Sequence, residues 1–167
     1  MKYTLSVLVE NQPGVLSKVS GLFSRRGFNI DSLAVGITED PLISRMTIVV
    51  NGDEYILEQV EKQLNKVIPV IKVKALNTTG DFISSELSLI KVSSTAEQRS
   101  EIMNIAELMN ARIVDVSLTS LTLQIADTLE KTETLIALLK PYGIKEIVRT
   151  GTVAIEKGAA ITRKQNA

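Results

Sequence analysis

The chain has 167 residues, of which 44% are hydrophobic and 23% charged, a balance typical of globular proteins. Its 19 basic residues match its 19 acidic ones, so the sequence lacks the positive charge on which nucleic-acid binders depend. It contains no histidine and no cysteine, which removes the usual general base, the thiolate nucleophile and most zinc ligands. We therefore expect a chain without catalytic activity of its own, without a metal site and without nucleic-acid partners.

No stretch approaches the roughly 18 uninterrupted apolar residues of a membrane-spanning helix, so we expect no contact with membranes. The first predicted strand follows directly after Met1 and Lys2, which leaves no room for a targeting peptide. The expected location is therefore the cytoplasm. The length also allows two domains of about 80 residues each.

A polar turn between a strand over residues 3–9 and a helix is the most informative stretch of the sequence. Apolar residues recur at helical spacing after the turn, at Val15, Leu16, Val19, Leu22 and Phe23. This spacing predicts a helix that starts near Gly14, with Pro13 in its first turn.

The start of that helix has the parts of a site for a small anion. The first turn of a helix leaves about four N–H groups unpaired and carries partial positive charge, which favours a carboxylate. Gly14 lacks a Cβ, so a ligand could approach the backbone there. The residues alone leave a second interpretation open, in which Asn11 merely caps the helix and Gly14 merely relaxes the turn.

The rest of the first half predicts three more strands and a second helix. Residues 28–37 alternate, with Leu33, Val35 and Ile37 on one face, which predicts a strand buried on that side. The small residues Ala34 and Gly36 on the other face are compatible with close approach by a second chain. A strand over 44–50, a helix that Asp53 opens and a strand over 70–76 complete the order βαββαβ.

The second half repeats this order after a polar stretch rich in turn formers. We predict strands over 86–92, 112–116 and 119–126 and helices over 95–110 and 128–139. Residues 144–148 and 153–155 finish the sheet of this half, either as one bent strand around Gly151 or as two strands.

The predicted fold class is therefore α+β, with two consecutive ferredoxin-like βαββαβ domains whose antiparallel sheets carry helices on one face. Such a sheet has open edges, and pairing of two copies at an edge would protect it. We therefore expect a symmetric homodimer.

Specific motifs resemble a known family. Residues 3–76 resemble an ACT domain, whose ligand-binding loop is similar to the turn Glu10-Asn11-Gln12-Pro13-Gly14-Val15-Leu16. The segments Gly27-Phe28-Asn29-Ile30-Asp31-Ser32-Leu33 and Ser44-Arg45-Met46-Thr47-Ile48 closely resemble the small, regulatory subunit of acetolactate synthase (acetohydroxyacid synthase). The second half, with Arg149-Thr150-Gly151, is similar to the C-terminal domain of that subunit.

The resemblance implies an ACT domain over 1–76, a linker over 77–84, a C-terminal ferredoxin-like domain over 85–158 and a loose tail over 159–167. It also implies a regulatory chain without a cofactor of its own, whose catalytic partner, the large subunit, holds thiamine diphosphate and Mg²⁺. The small subunit would activate that partner and confer feedback inhibition by valine in branched-chain amino-acid biosynthesis. Valine would bind between two copies, with one copy contributing Asn11, Gly14, Val15 and Leu16 and the other Asn29 and Ile30.

Other functions remain as alternatives. The first half would also suit a stand-alone ACT-domain amino-acid sensor that acts on another enzyme or regulator. A DNA-binding regulator would need a helix-turn-helix or a basic face, and an RNA-binding module would need aromatic residues on adjacent strands; we find neither. A small phosphatase would need an arginine committed to a phosphate loop, whereas Arg25 and Arg26 are predicted at the end of a helix, where cations are favoured.

Overall fold

The computed structural model describes residues 1–163, except for the side chain of Thr79. The described chain forms two compact units. The first contains residues 1–83 together with 152–163, and the second contains residues 84–151.

The strands and helices follow one another in the order expected for two βαββαβ domains, with a short helix between the domains and one more strand at the end. In chain order they are β1 (Lys2–Glu10), α1 (Val15–Arg26), β2 (Ile30–Ile37), β3 (Ile43–Asn51), α2 (Glu54–Asn65), β4 (Val70–Ala75), α3 (Leu76–Thr79), β5 (Phe82–Ser93), α4 (Arg99–Leu108), β6 (Arg112–Val116), β7 (Ser120–Asp127), α5 (Leu129–Leu139), a 3₁₀ turn (Lys140–Tyr142), β8 (Ile144–Arg149) and β9 (Val153–Glu156).

The first unit is built on an antiparallel sheet with strand order β2-β3-β1-β4. Alternate residues of the central strand, including Leu5 and Val7, are fully buried and pack against apolar residues of α1 and α2. Both helices therefore lie on the same face of the sheet. Helix α2 begins directly after Asp53, as predicted. The carboxylate of Asp53 accepts a hydrogen bond of 2.9 Å from the N–H of Ile56 and so caps the helix.

The second unit repeats this arrangement, with an antiparallel sheet of order β6-β7-β5-β8. Its core joins Ile90 and Val92 of β5 to buried residues of β7, α4 and α5. The prediction of an α+β protein with two βαββαβ domains is thus confirmed.

The predicted burial of β2 is wrong for half of the strand. Leu33 packs against the core, but Val35 is 48% exposed and Ile37 is 65% exposed. The physical reason is that β2 is an edge strand, with a neighbouring strand on one side only, and its second half does not belong to the core cluster. The alternation of apolar residues predicted the strand, but it could not predict which part of the strand belongs to the hydrophobic core.

Two other predicted boundaries also shift. Helix α4 begins at Arg99 instead of Thr95, because Thr95 and Gln98 exchange hydrogen bonds between side chain and backbone and form a turn before the helix. The last strand of the first half ends at Ala75, and the short helix α3 follows it.

The end of the described chain takes one of the two forms that the sequence left open. β8 and β9 are two separate strands, with Gly151 between them at φ +83°. β9 pairs with β5, and residues 152–163 belong to the first compact unit. The predicted linker 77–84 contains α3 and the first residues of β5. Of the predicted tail, 159–163 are described and include the buried Thr162, whereas 164–167 lie outside the described residues.

Candidate functional site

The loop between β1 and α1 is fixed to the turn between β2 and β3 by Asn11. The backbone N–H of Asn11 donates to the carbonyl oxygen of Leu42 at 2.8 Å, and its side-chain Nδ2 donates to the carbonyl oxygen of Pro41 at 3.0 Å. The alternative in which Asn11 caps the helix is therefore wrong. Its side chain positions the loop instead.

Gly14 is the residue that starts the helix. It lies at the N-cap with φ +82° and ψ −5°, a left-handed conformation that glycine adopts at little cost. Pro13 precedes this cap, so the expectation that it lies in the first helical turn is wrong. A Cβ built on Gly14 would meet no atom within 4 Å, so the side of the loop where a side chain would lie is open space.

The first turn of α1 offers unpaired donors. Lys18 makes the first bond of the helix, from its N–H to the carbonyl of Gly14 at 3.1 Å. In the described part of the chain, no hydrogen bond is found for the N–H groups of Val15, Leu16 and Ser17. The first turn also carries no acidic residue, so nothing there competes with an incoming anion.

Only one of the two apolar residues in this turn presents its side chain to the outside. Val15 is 4% exposed and belongs to the core of the first unit, so it can offer a ligand its backbone N–H alone. Leu16 is 46% exposed and can offer both its N–H and an apolar surface.

Asn29 and Ile30 lie at the start of β2. Asn29 is exposed, and its Nδ2 donates to the carboxylate of Asp31 at 3.3 Å. That carboxylate also pairs with Lys2 at 3.3 Å. Ile30 is half-buried against the core.

The strand register places these two groups of residues at opposite ends of the sheet. Glu10, next to Asn11, is opposite Ile43, whereas Ile30 is opposite Val50, which is in turn opposite Tyr3. The seven steps of β1 from Tyr3 to Glu10 span about 23 Å. One chain therefore does not bring Asn11 and Asn29 together.

The motif Arg149-Thr150-Gly151 has a structural role in the second unit. The guanidinium of Arg149 binds the buried carboxylate of Glu86 and that of Glu133, each at 2.8 Å. Thr150 exchanges backbone and side-chain hydrogen bonds with Leu87 at 3.0 and 3.1 Å. These contacts attach the end of β8 to β5 and α5.

A segment that the sequence reasoning missed adds buried polar contacts to the first unit. Residues 152–163, here called the returning segment, place the carboxylate of Glu156 2.5 Å from the ammonium of Lys74. The hydrogen bond from Lys74 holds the pKa of Glu156 below its ordinary value. The apolar alternation at Val153 and Ile155 predicted the strand β9, which pairs with β5, but it gave no sign of the polar contacts with the first unit.

Neither a metal centre nor a membrane span is found among residues 1–163. No group of three or more acidic side chains there could hold a metal ion. None of the described helices is long and apolar enough to cross a bilayer.

Comparison with known proteins identifies the family. A model of the AHAS small subunit-like ACT domain matches residues 5–72, and a model of the small subunit of acetolactate synthase matches residues 85–158. The chain is 53% identical over 156 residues to the acetolactate synthase small subunit of Mycolicibacterium smegmatis, covering 93% of this chain and 91% of that one. The chain belongs to the family of acetolactate synthase small subunits.

Two further relatives extend this likeness over nearly the whole of the small subunit. A probable acetolactate synthase small subunit from Archaeoglobus fulgidus is 51% identical over 158 residues, with 95% of this chain and 98% of that one covered. The crystal structure of the small subunit from Thermotoga maritima superimposes with a TM-score of 0.88 at 39% identity, covering 96% and 99% of the two chains. As a small subunit, this chain has the large subunit of acetolactate synthase as its partner.

Proposed function

We propose that this small subunit activates the thiamine-diphosphate-dependent large subunit of acetolactate synthase and makes it sensitive to inhibition by valine. The cofactor and Mg²⁺ belong to the large subunit, and this chain contributes no catalytic group. The valine site lies between two copies of the chain. One copy contributes the loop from Asn11 to Leu16, and the other contributes Asn29 and Ile30.

The separation of Asn11 and Asn29 within one chain is the observation that supports a site formed between two chains. β2 is an edge strand, and its second half exposes Val35 and Ile37. If two β2 strands pair antiparallel about a two-fold axis near their centres, the start of one lies opposite the end of the other. Asn29 of the partner subunit then lies beside the turn to which Asn11 is bound.

The hydrogen bonds of the two asparagines leave the right atoms for an ammonium group. Each uses Nδ2 as a donor within its own chain, Asn11 to Pro41 and Asn29 to Asp31. Among the described residues, neither amide oxygen accepts a hydrogen bond. Two oxygens from two chains therefore remain to accept from an ammonium, and they do so without adding charge.

The carboxylate of the amino acid would bind the unpaired N–H groups at the start of α1, near Gly14. Each charge-assisted hydrogen bond contributes about 1.5–3 kcal/mol in a site shielded from water. The exposed side chain of Leu16 and that of Ile30 of the partner subunit would cover the isopropyl group, which contributes about 1.5–3 kcal/mol if fully buried. After ordering costs, we expect a dissociation constant of roughly 10 μM to 1 mM.

A site shared by two chains also explains how binding can regulate. A ligand shifts an equilibrium only when it binds one state more tightly than another. Valine held by both copies stabilises one arrangement of the dimer over others. The activity of the bound large subunit then depends on that arrangement.

Complementation between two variants tests this proposal directly. Asn11→Ala and Asn29→Ala should each abolish valine binding measured by calorimetry, and valine inhibition of the reconstituted enzyme, while activation remains. Mixed dimers of the two variants contain one intact site and one doubly altered site. Random mixing should therefore restore about one quarter of the wild-type number of sites.

The same experiment can overturn the proposal. No restored binding in the mixed dimers would mean that both asparagines serve one site in one chain. Unchanged inhibition in either single variant would remove the assigned residues. Asn65→Ala, at an exposed asparagine on α2, is the matched control and should bind valine as wild type does.

A further inference from the structure

The returning segment is bound to three of the four strands of the first sheet through polar side chains. The N–H of Thr152 donates to the hydroxyl of Ser32 on β2 at 2.9 Å. Nη2 of Arg45 on β3 donates to the carbonyl of Thr162 at 2.9 Å, and Lys74 on β4 pairs with Glu156. All three strand residues alternate with core residues, so the segment lies on the sheet face opposite the helices.

These contacts are shielded from water. Thr152 is 7% exposed and Thr162 is 8% exposed, and the side chain of Glu156 is 7% exposed. A backbone N–H that loses its partner in such surroundings destabilises the fold, because no water replaces the lost acceptor. The position of Thr152 is therefore tied to the position of β2.

Ser32 connects this segment to the proposed amino-acid site. It lies two residues after Ile30 on the same edge strand, and its hydroxyl is the acceptor for the first residue of the returning segment. At Ser32 the register between β2 and β3 shifts, so this part of the strand is less regularly held by its neighbour than the rest.

A single residue separates Thr152 from an equally fixed residue of the second unit. Thr150 is hydrogen-bonded to Leu87 on β5 through both its N–H and its hydroxyl. Between them, Gly151 adopts φ +83°, a conformation that most other residues avoid. Because only Gly151 lies between these two anchored residues, the Cα atoms of Thr150 and Thr152 can lie at most about 7 Å apart, so a displacement of Thr152 beyond that reach must also pull on Thr150.

We propose that the hydrogen bond from Thr152 to Ser32 transmits occupancy of the amino-acid site to the second unit. This inference rests on the proposed function, because it needs an effector that fixes the start of β2. Effector binding fixes the position of β2. Through its hydrogen bond with Ser32, Thr152 then takes a fixed position too. Thr152 in turn constrains Thr150 and Gly151, where the chain leaves the second unit. Ser32 is a positioning residue and does not itself contact the effector.

Three variants of the full-length chain, reconstituted with the large subunit, test the inference. Ser32→Ala removes the acceptor and should reduce the maximal inhibition by valine at least twofold, while activation without valine and the Kd for valine stay within about threefold of wild type. Ser32→Thr keeps the hydroxyl and should keep inhibition. Ser6→Ala is the matched control, because the hydroxyl of Ser6 is buried on the same face and has no hydrogen-bond partner in the described chain.

Amide hydrogen exchange gives a second readout that a purely structural role would not produce. Valine should slow the exchange of the Thr152 amide in the wild type and in Ser32→Thr, but not in Ser32→Ala. Wild-type inhibition in Ser32→Ala would overturn the inference, and so would a Kd raised tenfold or more, which would place Ser32 in the ligand site. Failure of the wild type to bind valine would overturn the proposed function instead. Calorimetry on the wild type distinguishes this outcome from a failure of the inference about Ser32.

Discussion

Nδ2 of Asn11 donates a hydrogen bond to the carbonyl oxygen of Pro41 at 3.0 Å, and this bond leaves the amide oxygen of Asn11 without a partner among the described residues. The change Asn11→Asp keeps the shape of the side chain but replaces the donor by a second acceptor. A carboxylate oxygen would then face the Pro41 carbonyl, so the side chain would turn away. We expect valine affinity to fall by at least tenfold, a loss of about 1–3 kcal/mol.

Calorimetry checks this first prediction, and thermal unfolding provides its control. Because Asn11 is exposed, the midpoint of unfolding should change little. Retained affinity in Asn11→Asp would show that the amide nitrogen does not orient the loop.

Gly14→Ala should weaken valine binding more than it destabilises the fold. The added Cβ meets no atom of the chain within 4 Å, but it requires a left-handed conformation at φ +82°, which costs about 1–2 kcal/mol. The methyl group would enter the open space beside the N–H groups that we assign to the carboxylate. Valine binding should therefore fall at least tenfold, measured by calorimetry.

Gly158→Ala is the matched control for this change. Gly158 has a similar φ of +71° and also has no atom within 4 Å of a built Cβ, but it lies outside the proposed site. The two variants should lose similar thermal stability, and Gly158→Ala should keep the wild-type Kd. Equal affinities in both variants would contradict the placement of the carboxylate.

The exposed end of β2 should be a contact between copies of the chain. Val35→Lys places a charge at an edge position that is 48% exposed, and we expect it to turn the dimer into monomers at micromolar concentration. Sedimentation velocity measures this directly. Ile68→Lys is the control, since Ile68 is 93% exposed and lies outside β2. A dimer that persists in Val35→Lys would exclude this edge as the interface.

The local elements of the fold could be predicted because their signals are short-range. Apolar residues at helical spacing predicted α1. Asp53 predicted the start of α2, since a carboxylate at the N-cap accepts a hydrogen bond from the backbone N–H three residues later. The order of strands followed from the rule that βαβ connections are right-handed.

Long-range pairings could not be predicted in the same way. The strand over residues 153–155 was predicted, but nothing local indicates that Thr152 binds Ser32, 120 residues earlier. The role of Asn11 was missed for the same reason, because its partner Pro41 is 30 residues away. The proposed site residues themselves came from the family resemblance, and their roles stay predictions.

The attachment of the returning segment should depend on pH through Glu156. Its pair with Lys74 lowers the pKa of this carboxyl in the folded chain, so the pair stabilises the fold above the ordinary value of 4.5. This contribution is lost as the pH falls through the lowered pKa. Amide exchange over residues 152–156 should therefore increase, after correction for the intrinsic pH dependence, as the solution is acidified below 4.5.

Glu156→Gln removes the titrating group and tests the cause. The variant should show faster exchange than the wild type at pH 7, and little further increase on acidification. Glu58→Gln, which removes an exposed pair with Lys62 on α2, should leave exchange in the segment unchanged. An unaltered pH dependence in Glu156→Gln would assign the effect to another group.

The first unit is made from the two ends of the described chain, with the second unit inserted between residues 83 and 152. A ribosome therefore synthesises the strands that carry Asn11 and Asn29 long before the residues that cover their sheet. Until residues 152–163 emerge, the buried polar face of that sheet lacks its permanent cover, whereas the second unit is contiguous and can fold as soon as it leaves the exit tunnel. During synthesis, the first unit is thus completed after the second, although its first four strands are translated before it.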